Sequence, residues 1–552
     1  MKTSSFKKLF SLFNEKEKKT FRIAGIVFLI SLLSYSFLFF KEKTITIPSY
    51  GGTYIEGVVG QPIAINPLLL GGNKADTDLA RLLFASLSTL SQSQTVSSEG
   101  KVWNITLKEG LLWSDMKPIT ADDVVFTLKS IQDPDSNSPL YQDWKDVVVE
   151  RTNEREVRFT LSSPNAFFEN NLKNLLIAPE HIFSGIPVTN LRLSNYNLEP
   201  VGSGPFVFKN YKKQRTGFIS EYSLVRNPDY SADGPLINKF IVRFYPNYND
   251  AILAFNRKSI DGLGEVDPNY LKDIKINHKT YQLGIPQYFA LFFNQSENSL
   301  IQSHSTRETL FYGVNKEEII NTVFNGYANK LDGPIPPYFP GFHEDLVAPV
   351  TSTLETAINL LKEDGWVLGS DGIQTREVRG IEQKLEITLT TPQVPFLVNT
   401  AKLIKEQWAK LGIKTNLNIV SIETINEQVI VPRNYEVLLY GNTLSTPDIY
   451  SFWHSSLILP PGLNLAIYQS SQVDELIEEN RTTFDQSTLS ANLRRIQEHL
   501  IQDIPAIILY SPDYLYLAPN SLGGLPRSYI ESSSHRFNSV NEWYLKTNRI
   551  LK

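Results

Sequence analysis

The chain has 552 residues, 41% hydrophobic and 11% aromatic, which is material for large cores, suggests roughly two to four domains and excludes disorder for the bulk. Lys and Arg number 53 against 58 Asp and Glu, a net charge of −5, so no global positive field exists to attract nucleic acid. The absence of cysteine excludes disulfides, thiol nucleophiles, thiolate zinc sites, iron–sulfur clusters and a lipid-modified N-terminal cysteine.

The first element is an uncharged run of 18 residues, Ile23 to Phe40, at the lower end of what spans a bilayer as a helix. Lys7, Lys8, Lys16, Lys18, Lys19 and Arg22 precede it, opposed by Glu15 and Glu17. The positive-inside rule therefore predicts a cytoplasmic tail at 1–20, a transmembrane signal anchor at 21–43 and an extracytoplasmic body after 43. The run ends in bulky Phe37, Leu38, Phe39 and Phe40 and not in a small-residue cleavage site, so an uncleaved anchor is expected.

Beyond Tyr50 helix and strand patterns alternate. Ser352 and Glu355 are spaced as a capping box before Leu354, Ala357, Ile358 and Leu361, with Gly365 as the stop. A helix over Thr400–Leu411 stops at Gly412, and Ile413, Thr415, Leu417 and Ile419 then alternate with a strand's period of two. Leu489, Leu493, Ile496 and Leu500 space another helix, leading through Pro505 into the apolar run Ala506–Tyr510. This mixing predicts α/β or α+β layers, and the lack of repeats or low-complexity linkers predicts interwoven domains.

Catalytic signatures are missing: no phosphate-binding loop, no nucleophile elbow and no HExxH. The seven histidines never fall three or four apart, so local spacing offers no metal site, and neither cofactor nor catalytic residue is expected. Asp133, Asp135 and Asn137 imitate the start of a calcium loop, but Ser138 and Trp144 stand at its glycine and glutamate positions, which leaves a turn. In Leu111–Leu128, Thr120 and Asp123 form a capping pair ahead of Val124, Leu128 and Ile131.

That segment resembles the signature of the family 5 extracellular solute-binding proteins, the oligopeptide- and dipeptide-binding components of ATP-binding-cassette importers. Trp113, Asp115, Pro118, Thr120, Ala121, Asp123, Val124 and Thr127 match W-x-D-G-x-P-x-T-A-x-D-V, with Met116 where glycine is usual. In order along the chain, Gly51–Leu69 resembles the family's opening strand and N-P loop, Val201–Phe208 its G-T-G-P-Y segment, and Ala251–Gly262 its A-x-x-x-G-x-x-D element. Phe289–Gln295 with Ser305–Leu310, then Leu360–Trp366 and Lys410–Leu417, continue the likeness, which covers about residues 51 to 545.

The resemblance implies an α/β, two-lobed periplasmic-binding-protein-like fold of class II with an extra inserted domain, preceded by one N-terminal transmembrane helix. Lobe I would comprise 44–90, 198–284 and 512–552, the inserted domain 91–197 and lobe II 285–511, with hinge strands near Ile285–Phe289 and Leu509–Asp513. A ligand touching both lobes would stabilise the closed state by its differential affinity for that state.

In peptide-binding relatives main-chain groups hold the ligand backbone and an aspartate holds its amine. Here Gly441, Asn442 and Thr443 match the strand end, but Thr446 replaces the first acid of the turn and no acid stands between Gly441 and Pro447. Glu56 is the candidate replacement from lobe I; Asp448 either meets the ligand or caps the Tyr450–Trp453 turn; Asn66, Tyr288, Phe289 and Trp453 complete the expected ligand-binding set.

The expected function is capture of peptides or similar small polar solutes and delivery to the permease subunits of an ATP-binding-cassette importer, without catalysis, by a monomer held in the membrane by its N-terminal helix. A membrane-tethered sensor, adhesin or chaperone on the same scaffold is the alternative.

Overall fold

A computed structural model describes residues 13–97, 99–230, 234–339, 341–346, 354–526 and 528–551. The apolar run lies within one helix of 29 residues, Glu15–Lys43. Asn14 starts it: the Glu17 N–H donates to the Asn14 side chain and the Asn14 N–H to the Glu17 carboxylate, both at 2.8 Å. At 1.5 Å per residue it is about 43 Å long, more than the roughly 30 Å of a hydrocarbon core. Ile26, Leu29, Leu33 and Phe37 are all exposed, so among the described residues none of the body covers this apolar stretch of the helix.

Two large sheets follow. The first orders its seven strands Lys279–Leu283, Tyr514–Ala518, Gly262–Leu263, Thr53–Val59, Lys239–Tyr245, Ile219–Arg226 and Phe206–Lys213. The second orders six: Ala328–Lys330, Ala506–Pro512, Gln287–Phe293, Val437–Thr443, Glu386–Pro392 and Lys414–Val420. The chain passes between them twice, at 284–286 and at Asp513. A four-stranded sheet, in the order Ser91–Val96, Val102–Leu107, Glu156–Thr160 and Val148–Asn153, lies in sequence between strands of the first.

Period-two alternation builds the cores. In Gln287–Phe293, Leu291 and Phe293 pack with Leu389, Leu439 and Trp408, whereas Tyr288, Ala290 and Phe292 face the opposite cluster with Leu438, Trp453 and Leu493. Both faces are covered, which explains the nearly unbroken apolar reading of this strand.

The expected helices form at Pro395–Ala409 and Gln486–Asp503. The former begins five residues before Thr400 because Pro395 takes its first turn, where a missing N–H is harmless; Gly412 follows at φ +75°. The Thr120 N–H donates to Asp123 at 2.8 Å, the expected reciprocal cap. Asp123 also accepts from the Glu180 N–H at 2.9 Å, so the signature ties two segments together. The capping residue Ser352 lies outside the described residues; the helix Leu354–Glu363 follows it.

The two glycines of Val201–Phe208 have a steric cause. A Cβ on Gly202 would sit 2.0 Å from the Leu83 carbonyl oxygen, and one on Gly204 2.5 Å from the Leu83 carbonyl carbon. Backbone cannot step aside as a side-chain tip does, so Gly202→Ala is expected to destabilise by about 1–3 kcal/mol or more, read as a lowered midpoint in urea.

Candidate functional site

The end of the second sheet nearest the chain crossings holds most of the expected ligand-binding residues. Register places Gln287 opposite Thr443, Tyr288 opposite Asn442 and Phe289 opposite Gly441. The Tyr288 hydroxyl, fully buried, accepts from Asn442 Nδ2 at 2.8 Å and from Trp453 Nε1 at 3.1 Å. Burial pushes the Tyr288 phenol well up, so it stays neutral. Phe289 points to the other face, its ring 5.7 Å from Tyr510 and 5.0 Å from Phe396. A Cβ on Gly441 would meet the Phe289 ring at 2.4 Å, which is why the strand end carries glycine there. Thr443 is exposed at the tip. Tyr288, Asn442 and Trp453 thus form a packed platform beneath the strand end, with their polar groups engaged in one another.

Asp448 caps the turn that follows: Oδ1 accepts from the Tyr450 N–H at 3.0 Å. Oδ2 lies 3.3 Å from Arg481 Nε, and the guanidinium sits over the Tyr450 ring. Burial raises the Asp448 carboxyl while Arg481 pulls it back. Its charge is matched within the protein.

The two residues expected from the first lobe sit elsewhere. Asn66 is fully buried, accepting from the Leu68 N–H and donating to Asn197 Oδ1, both at 3.0 Å, and so folds its own loop. Glu56 has no exposed surface. Arg536 donates to Oε1 at 2.9 and 3.2 Å and the Tyr516 hydroxyl to Oε2 at 2.6 Å. The expectation that Glu56 replaces the missing acid is therefore corrected: its oxygens are already held by Arg536 and Tyr516, out of reach of a solute.

Arg536 also holds Asp78 through two bonds of 2.8 and 2.7 Å. Burial raises both carboxyls against the pull of the shared guanidinium, and the two carboxylates keep Arg536 firmly protonated. Beside this triad a cavity of about 220 Å³ is lined by Lys74, Asp78, Glu265, Tyr514 and Arg536, with Lys74 bonded to Glu265. The triad was not read from the sequence, because Glu56 and Arg536 are 480 residues apart. Asp78 carried a signal: it shares the buried face of Lys74–Leu83 with Ala75, Leu79 and Leu82, and a carboxylate there needs a partner.

The two large sheets are braced across the crossings, and the inserted four-stranded segment meets the second lobe's chain as well. Asp513 accepts from Gln282 at 2.6 Å and from Asn329 at 2.7 Å, and Tyr338 stacks on Tyr529 with centroids 5.6 Å apart. From the segment that carries the four-stranded sheet, the Ala166 N–H donates to the Arg481 carbonyl at 2.8 Å, Trp103 approaches Phe484 at 6.3 Å and Phe167 packs on the cluster containing Tyr288 and Trp453. Among the described residues no group of three or more His, Asp or Glu is placed to hold a metal ion.

Two sheets joined by paired crossings, with a sheet inserted in the first and a glycine-bearing strand end at the junction, define a two-lobed solute-binding protein of class II type. The profile of the bacterial extracellular solute-binding proteins, family 5 Middle, matches residues 88–458, and the chain belongs to that family. It is 26% identical over 530 residues to the oligopeptide-binding protein AppA of Bacillus subtilis, covering 91% of this chain and 93% of that protein. The solved structure of AppA in complex with a nonapeptide superposes with a TM-score of 0.69 over 91% of this chain and 100% of that one. The fold is also that of the ABC transporter substrate-binding protein CtaP of Listeria monocytogenes, with a TM-score of 0.76 at 24% identity over 90% of this chain and 100% of that one. Protein XP55 of Streptomyces lividans is 27% identical over 486 residues, 85% of each chain.

Proposed function

We propose that this protein captures peptides in the cleft between its lobes and delivers them to an ATP-binding-cassette permease, acting by binding and not by catalysis. The observation that carries this reading is the strand end Gly441–Thr443, which lies beside the crossings on the platform of Tyr288, Asn442 and Trp453; AppA, which was solved with a nonapeptide, supports it. Lobe I is assigned to 44–90, 198–284 and 512–552, the inserted domain to 91–197 and lobe II to 285–511. The ligand backbone meets main-chain groups of Gly441–Thr443, with Trp453 supporting them on one face of the strand pair and Phe289 on the other. The helix Glu15–Lys43 spans the membrane once with its N-terminus in the cytoplasm, which keeps the body on the outer side within reach of the permease.

Charge predicts selectivity. Glu56 is held by Arg536 and Asp448 faces Arg481, so a ligand amine gains no strong partner from either. Calorimetry on the detergent-purified full chain, with a free nonapeptide and its N-acetylated form, should give affinities within about tenfold of each other, the range of a neutral hydrogen bond. A preference for the free amine beyond about a hundredfold would require a buried charge pair and would refute this placement of the site. Failure of both peptides to bind would refute peptide capture itself.

A further inference from the structure

The helix Glu15–Lys43 runs into the body without a linker: Thr44, the residue after its last turn, is also the first residue of the strand Thr44–Ser49. That strand pairs antiparallel with Lys546–Leu551 through six consecutive positions, and the pair forms a sheet of its own, joined to neither large sheet. Such a two-stranded ribbon is at best marginally stable in water, and every residue of Lys546–Leu551 is exposed.

The register decides what lies next to the helix end. Leu551 pairs with Thr44 and Ile550 with Ile45, so the exposed side chains of Ile45 and Ile550 on one face of the ribbon and of Leu551 on the other all lie within two residues of Lys43. Lys41 and Lys43 occupy the last helical turn, and Arg549 pairs with Thr46 one step farther along. Across 41–49 and 546–551, Glu42 is the sole acid. Apolar side chains rimmed by cations at the end of a spanning helix match the chemistry of a lipid boundary and its phosphates.

We propose that this end of the ribbon is seated in the headgroup layer of an anionic membrane. Ile45, Ile550 and Leu551 enter the apolar boundary and Lys41, Lys43 and Arg549 contact lipid phosphates. The seated end then holds together a paired stalk about 20 Å long, six residues at strand rise. The proposal rests on the spanning helix assigned above.

Because the chain has no cysteine, single labels are unambiguous. The full chain carrying Ile550→Cys or, on an exposed loop, Arg215→Cys is labelled with a fluorophore and reconstituted into vesicles of phosphatidylcholine alone or mixed with phosphatidylglycerol. In the mixed vesicles the label at 550 should be quenched by lipid-borne nitroxide and shielded from aqueous iodide, and the label at 215 should show the reverse. Lys43→Glu with Arg549→Glu should restore iodide access at 550 in the mixed vesicles, each cation lost weakening seating by about fivefold.

Iodide access at 550 equal to that at 215, with the protein still retained after carbonate washing, would overturn the stalk and leave the anchor standing. Equal shielding in both vesicle types would overturn the preference for an anionic membrane that the proposal assigns to Lys41, Lys43 and Arg549. Loss of the protein on washing would overturn the anchor and the proposal together.

Discussion

Arg536→Met is expected to destabilise the protein by about 3–5 kcal/mol at neutral pH, the usual cost of removing one partner from a buried ion cluster. Glu56 and Asp78 both depend on that guanidinium and are buried with it. The deficit should also depend on pH. Burial already raises both carboxyls in the parent, and without Arg536 only the Tyr516 hydroxyl on Glu56 and the charge of Lys74 near Asp78 oppose it. A carboxyl whose folded value is raised contributes stability that is fully present below the ordinary carboxylate range and is lost as pH rises through the raised value. The variant should therefore recover relative to the parent as pH falls from 7 towards 5. Urea unfolding at both values measures this, and a deficit that stays constant, or grows in acid, would mean that the two carboxylates have another source of compensation.

Tyr288→Phe is expected to cost about 2–6 kcal/mol, because one hydroxyl satisfies two buried donors, Asn442 Nδ2 and Trp453 Nε1, and each orphaned donor costs about 1–3 kcal/mol. The ring volume is unchanged, so the loss is polar and not a cavity. Asn442 belongs to the strand end proposed to meet the ligand, so peptide affinity measured on the folded variant should fall along with stability. A variant as stable as the parent would show that the platform reorganises or takes in water at no cost. Stability lost with affinity intact would separate the platform from the ligand site.

What was legible in the sequence had a local cause. The long apolar helix near the N-terminus was carried by one uninterrupted apolar run, and Thr120 with Asp123 form the reciprocal cap that their spacing implies. The helix–strand pair around Gly412 follows from periodicity and a left-handed stop. The arginine of the Ser305–Leu310 element shows why a motif can survive while its cause stays hidden: buried Arg307 donates to the carbonyls of Ile301, Gln302, Asp503 and Ile504 and ties two helix ends nearly 200 residues apart. At the candidate site, the strand end was legible through Gly441, but the state of each carboxylate was not. Glu56 reads as available until Arg536 is placed beside it, and Asp448 until Arg481 is; both arginines come from segments with no pattern that points back to the acid.

The strand Tyr514–Ala518 lies between Lys279–Leu283 and Gly262–Leu263 in the first sheet, and the ion cluster closes only when Arg536 arrives. Synthesis and export are vectorial, so the second sheet, built wholly from Gln287 to Pro512, has all its strands outside the membrane while the first still lacks an inner one. The first sheet, whose earliest strand begins ten residues beyond the helix end at Lys43, must wait with its apolar faces incomplete until Tyr514–Ala518 arrives. This half of the molecule therefore has the greater need of chaperone protection during biogenesis, and a chain that stops just after Pro512 holds every strand of the second sheet but lacks an inner strand of the first.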